Sequence, residues 1–335
     1  MGGAVRYDVS MIDGDGKLLS VRSHPLCLGH NPGLGHPETP ERVRVILDAL
    51  SARVDGRWTV DPESLLPDEE DTLGTLAWIH DSAYIERVRD ASESGSGWLD
   101  SHDCGVSAGT FSAAIAAAGL ALQAGLDLAN GQLRRAFLVV RPPAHHAGRE
   151  KASGYCFFNS VALAAEVVVR SWNRPVVVAD FGAFHGDGIQ EHFYSRGDVG
   201  YVSVHRYPAF PGTGGADEVG DGEGRGTTRN VPLAGGAGDD IFCTAFADAL
   251  DEICQRLQPA AIILSAGFDA HRDDPLGGME VSELGFGQLT KCAVDAAERW
   301  AEGRVLSFLE GGYELGALAK SVRIHVEELA KSSVD

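Results

Sequence analysis

The chain has 335 residues, 44% of them hydrophobic and 7% aromatic, enough to bury a large core, so disorder is excluded as the default state. A formal net charge of −20 argues against a nucleic-acid partner, since the 28 Lys and Arg residues form no long basic run, and favours cationic small molecules or basic peptides instead. Six cysteines scattered without CxxC spacing argue against a disulfide framework or a structural zinc knuckle and fit reduced thiols in a cytoplasm.

In chain order, residues 5–23 (VRYDVSMIDGDGKLLSVRS) predict two strands around Asp13-Gly14-Asp15-Gly16, an N-terminal hairpin within residues 1–23. The first residues are too polar for a signal peptide, and no apolar stretch is expected to reach membrane-spanning length. The loop HNPGLGHPETPER follows, and Thr39-Pro40-Glu41-Arg42 caps a helix through Leu50. Helices are predicted at 81–91 and 107–129, the second rich in Ala and read as packing. Strands are predicted at 136–140, 176–180, 199–204, 260–264 and 305–309, alternating with helical segments near 158–171, 240–257 and 281–302. That rhythm is the pattern of a parallel sheet covered on both faces. With no repeat, linker or composition break, residues 1–335 read as one domain, and 212–238 as an ordered surface loop.

Each predicted strand from residue 136 onward ends in a polar cluster: RPPAHHAG (141–148), DFGAFHGDG (180–188), SVHRYPAFPGTG (203–214), SAGFDAHRDDPLGG (265–278) and LEGGYELG (309–316). Polar groups at the C-terminal ends of parallel strands converge on one crevice. Taken singly, a buried histidine is more often a satisfied core group than a catalyst, and an aromatic after Gly-Gly is often a turn anchor. The tandem His145-His146 after Arg-Pro-Pro at a strand end favours the functional reading.

These five clusters, with HNPGLGHPETPERV before them and GYCFFN (154–159) between, resemble the histone deacetylase and acetylpolyamine amidohydrolase superfamily, closest to its class II and bacterial branch. The match runs in order over residues 24–325. The resemblance implies an α/β arginase-deacetylase fold, a single parallel sheet of about eight strands with helices on both faces. It further implies that a zinc ion polarises an amide carbonyl and activates water, with a histidine as base and a tyrosine stabilising the oxyanion. By the same resemblance His145, His146 and Tyr313 are catalytic, and Asp180 and Asp187 orient the two histidines. Gly154, Tyr155 and Phe210 shape a tunnel for a linear acyl-lysine-like chain. Asp180 and Ser203 supply side chains around a structural potassium ion, with backbone carbonyls at Gly182 and Phe184.

The zinc motif is where this chain departs from its relatives. The family pattern Asp-x-Asp-x-His-His-Gly supplies two of three zinc ligands at positions that here are Gly182 and Phe184, leaving only Asp269. Catalytic zinc normally uses three protein ligands, so no catalytic zinc is expected, while potassium remains compatible. His185 should point away from the face of 182 and 184. His271 could share the direction of Asp269, but a histidine there is common in this branch. His24, His30, His36 and His102 read as rim residues.

Two function classes follow. One is a metal-independent enzyme that uses the histidine pair, Asp269 and Tyr313 for elimination, dehydration, cyclisation or hydrolysis of a small acyl or amine substrate, with Gly182 and Phe184 now part of the substrate pocket. The other is a catalytically inactive protein that holds a ligand in the tunnel. Retention of the whole proton-transfer set favours the enzyme; an ordinary zinc deacetylase ranks last. The sequence points to no nucleic-acid or membrane partner and leaves homo-oligomerisation open.

Overall fold

The computed structural model of the protein describes residues 19–51, 57–95 and 97–331. Its strands in chain order are β1 (Leu19–Arg22), β2 (Trp58–Asp61), β3 (Trp98–Leu99), β4 (Ser101–Gly105), β5 (Arg135–Leu138), β6 (Val176–Asp180), β7 (Val199–Arg206), β8 (Thr228–Leu233), β9 (Ile262–Ala266) and β10 (Val305–Leu309). Eight of them form a parallel sheet in the order β2-β1-β5-β10-β9-β6-β7-β8, and β3 and β4 pair as a small antiparallel ribbon. The helices are α1 (Glu41–Ser51), α2 (Glu69–Leu76), α3 (Ser82–Ser94), α4 (Thr110–Ala129), α5 (Ser160–Trp172), α6 (Asp187–Phe193), α7 (Asp239–Leu257), α8 (Glu283–Trp300) and α9 (Leu315–Leu329).

The sheet is buried on both faces, which is why its central strands are continuous apolar runs. Side chains alternate along each strand, so Val177 and Ala179 of β6 join the core under α1, α7, α8 and α9, whereas Val176 and Val178 join the core under α3, α4 and α5. Helix starts follow local chemistry: Asp81 accepts from the Ala83 amide at α3, Asn159 from Ala162 at α5 and Ser282 from Gly285 at α8. The five strands that end in polar clusters, β5, β10, β9, β6 and β7, are neighbours in the sheet, so their C-terminal ends adjoin.

Several expectations need correction. Residues 1–18 of the expected hairpin lie outside the described residues. Its second limb is β1, and both edges of β1 are taken by parallel partners, β2 and β5, so β1 is an interior sheet strand and not a hairpin arm. The 212–238 segment is not all loop, because Thr228–Leu233 forms edge strand β8 beside β7. Its Arg229, Asn230 and Pro232 break the apolar pattern, as an edge strand with one unpaired side tolerates. Contrary to expectation, α4 is long and apolar enough to cross a membrane by length and composition. In the fold it packs against α5 and α2 and is mostly buried. All six cysteines are free.

Burial also sets a pH dependence. His325 donates and accepts between Thr290 Oγ1 (2.6 Å) and Ser307 Oγ (2.8 Å) deep in the core, and burial pushes it down to about 3. Burial likewise lowers His30, His185 and His192 to about 4. These rings are neutral in the fold and protonate near 6.5 once unfolded, so below that pH the unfolded chain binds more protons and stability falls. Burial has the opposite sign at Glu310 and Asp269, raised to about 7 and about 6, which gain stability as pH falls. The histidines outnumber them. Unfolding free energy should therefore decline from pH 6.5 towards 4, by up to about 1.4 kcal/mol per pH unit per histidine. The decline should be shallower by about one proton in His325→Gln; denaturant titrations at a series of pH values that show equal slopes would contradict this.

Candidate active site

The segment after β5 is held rigidly. Arg141 is fully buried and donates to both oxygens of Glu38 (2.8 and 2.7 Å) and to the carbonyls of Cys27 and His30, tying the histidine segment to the HNPGLGHPETPER loop. Glu310 Oε2, from the end of β10, accepts from the amides of Ala144 (2.7 Å) and His145 (3.2 Å). The two rings of His145 and His146 then stand 4.0 Å apart between centroids.

Each histidine has its own carboxylate. His145 Nδ1 lies 2.9 Å from Asp180 Oδ2, and His146 Nδ1 lies 2.6 Å from Asp187 Oδ1. A carboxylate accepts, so Nδ1 carries the proton in both rings and Nε2 is left for chemistry. The neighbours differ in effect. Burial opposes charge on His145, but Asp180, with help from Glu310 and Asp269, outweighs it and raises the ring to about 9. Burial and then the adjacent His145 lower His146, against the pull of Asp187. Two titratable groups side by side, one biased to the charged form and one to the neutral form, suit an acid and a base.

Asp269 follows β9, and its Oδ1 accepts from the Ala183 amide at 2.6 Å. Burial, then Asp274, raises it to about 6. A Cβ on Gly311 would lie 1.9 Å from Asp269 Oδ2, so only glycine fits at the start of the Gly311-Gly312-Tyr313 turn. Tyr313 is fixed by its amide, which donates to Asp274 Oδ2 (2.7 Å), and by the Arg42 guanidinium 5.0 Å from its ring centroid. Arg42 itself donates to the carbonyls of Gly312 (2.7 Å) and Glu310. Burial pushes the phenol well above its ordinary value, so it is a hydrogen-bond donor at neutral pH, and no hydrogen bond occupies it among the described residues.

His145, His146 and Tyr313 line a cavity of about 200 Å³ together with Gly154, Tyr155, Phe184 and Phe210. Leu276 and Asp103 complete its wall. A Cβ on Gly154 would sit 2.2 Å from His146 Cδ2, and Tyr155 adopts φ +70°, a left-handed conformation that a bulky residue rarely takes outside a site. Asp180, Gly182 and Asp269 are buried and outside the lining, and Asp187 is partly exposed and outside it as well; Asp269, expected among the catalytic groups, is only 1% exposed.

Gly182 and Phe184 offer no donor side chain beside Asp269, and among the described residues no three His, Cys, Asp or Glu side chains are grouped to hold a metal ion. His185 bonds Thr213 (2.8 Å) and Gln190 (3.1 Å), and His271 stacks on Phe286 near Glu283, so neither supplies the missing ligand. The residues present therefore do not fit a tight zinc site. Asp180 and Ser203 are register partners across β6 and β7, and Ser203 Oγ lies 2.9 Å from His205 Nδ1.

The rim expectation holds unevenly. His36 packs on Tyr155 at 4.5 Å and His102 on Trp98 at 4.3 Å, whereas His24 caps a short 3-10 turn. His30 is 1% exposed, bonded to Thr110 and facing Glu38, a core residue and not a rim one. Sequence reading missed Asp103, Leu276, Glu310 and Arg42. Glu310 sits inside the LEGGYELG cluster and Arg42 in the helix-capping stretch, so both were visible as residue types. Asp103 comes from β4, in a polar stretch with no periodic signal.

A family model described as histone deacetylase domain matches residues 36–329. The chain is 32% identical over 296 residues to a probable deacetylase of Archaeoglobus fulgidus, covering 88% of this chain and 81% of that protein. It is 36% identical over 293 residues to a histone deacetylase-like amidohydrolase of Pseudomonas aeruginosa, covering 86% and 74%. The crystal structure of the HDA15 HD domain superposes with a TM-score of 0.86 at 32% identity, over 94% of this chain and 90% of that one.

Proposed function

The chain belongs to the histone deacetylase family, and from that premise we propose that it is a metal-independent enzyme acting in the family's pocket on a small acylated or amine substrate. The observation that carries this reading is the coexistence of two carboxylate-bound histidines and a tyrosine on one cavity wall with Gly182 and Phe184, neither of which has a metal-donor side chain, at the positions that the resemblance aligns with zinc ligands. In this reading His146, kept neutral, takes a proton from the substrate or from water. His145, kept charged by Asp180, returns one to the departing group, and the Tyr313 hydroxyl donates to developing negative charge. Asp269 acts through the field of its charge from behind the wall. This apparatus suits elimination, dehydration, cyclisation or hydrolysis of a bond more reactive than an amide. Potassium, held by Asp180 and Ser203 with backbone carbonyls of 182 and 184, would brace the loop between β6 and α6.

The test is turnover by chelator-treated protein on acetyl-lysine peptide, acetylputrescine and an activated acyl ester. Ester turnover unaffected by chelator, with no turnover of the two amides, is expected. Amide turnover that chelator abolishes and zinc restores would make the protein an ordinary deacetylase. Saturable binding with no turnover of any class would favour the ligand-binding alternative.

A further inference from the structure

Phe184 makes the inner part of the cavity aromatic. It meets Phe210 edge to face at 6.4 Å, Tyr155 meets Tyr313 in the same way at 5.8 Å, and His146 abuts Phe210 at 5.0 Å. All of these rings line one space. Asp103 lines it too, and its Oδ1 is buried with no hydrogen-bond partner among the described residues, an acceptor still wanting a donor or a positive charge. No Lys or Arg side chain contributes to the wall, and the charge on its His145 is paired with Asp180 at 2.9 Å. Arg42 and Arg206 lie over Tyr313 and Phe184 without lining the cavity, and no protein cation lies over Tyr155 or Phe210 among the described residues.

Aromatic faces with a single nearby carboxylate attract a desolvated organic cation and offer a neutral carbonyl far less. Resting on the reading of this cavity as the substrate site, we propose that it takes an alkylammonium ion, its cationic head held among Tyr155, Phe184, Phe210 and Tyr313 with Asp103 as counter-charge. The ligand then enters charged end first and need present no acyl group to the histidines.

Calorimetric titration of the full chain with pentyltrimethylammonium and with N-pentylacetamide compares a cation and a neutral amide on the same alkyl chain. The cation should bind at least about tenfold tighter. Phe184→Leu should cut its affinity about tenfold while changing that of the amide by less than about threefold. Phe210→Leu, at a position 43% exposed and so safe for folding, should act in the same direction. Equal or tighter binding of the amide, or no saturable binding of the cation, overturns the proposal. Amide preference would leave the metal-independent chemistry standing, because that reading rests on turnover in chelator; zinc-dependent amide turnover would end that reading without touching the cation preference.

Discussion

Gly182→Asp combined with Phe184→His should give the protein a zinc affinity that the parent lacks. A Cβ on Gly182 would lie 3.3 Å from Asp269 Oδ1 and 3.6 Å from Asp180 Oδ1, so a carboxylate introduced there is delivered beside the one ligand that remains. The metal-free variant should be destabilised by a few kcal/mol, roughly the range for an unpaired buried charge, because a third acid enters a buried cluster and a ring leaves its contact with Phe210. Zinc should reverse that loss, by about 2.7 kcal/mol at a hundredfold excess over Kd. Thermal unfolding with and without zinc reads both effects. A folded double variant with no zinc-dependent rise in Tm would show that residues 180–187 are wrongly aligned to the family's metal site.

His145→Ala or Tyr313→Phe should each lower turnover of an identified substrate by roughly a hundredfold or more. Tyr313→Phe is the cleaner of the two. It leaves the ring to pack on Tyr155 and under Arg42, and the amide bond to Asp274 is untouched, so only the hydroxyl is removed. Single-turnover rates with binding measured in parallel separate chemistry from affinity. Near-parental rates in both variants would remove these residues from the mechanism.

The sheet was legible wherever burial forces a continuous apolar run: Val176–Asp180 and Val305–Leu309 have the bounds expected of them. It was illegible at the edges, where β2 and β8 are half-exposed and carry polar residues, and in the second limb of the supposed hairpin, where turn chemistry around Asp13-Gly14 suggested an antiparallel pairing for β1, which pairs in parallel. In the site, the histidine, aspartate and tyrosine positions could be read because each ends a strand. The pairing of His145 with Asp180 and of His146 with Asp187 brings together side chains 35 and 41 residues apart, and only the resemblance supplied it. Asp103 could not be found from sequence, because a short polar ribbon carries no periodicity and its importance comes from where β4 docks.

Whether this deacetylase-family pocket works without zinc is read by a zinc titration of the metal-stripped parent chain with Asp269→Ala alongside. No stoichiometric binding at micromolar zinc, and no difference between the two proteins, is expected. One equivalent bound by the parent with micromolar or tighter affinity, and lost on removing the Asp269 carboxylate, would contradict it.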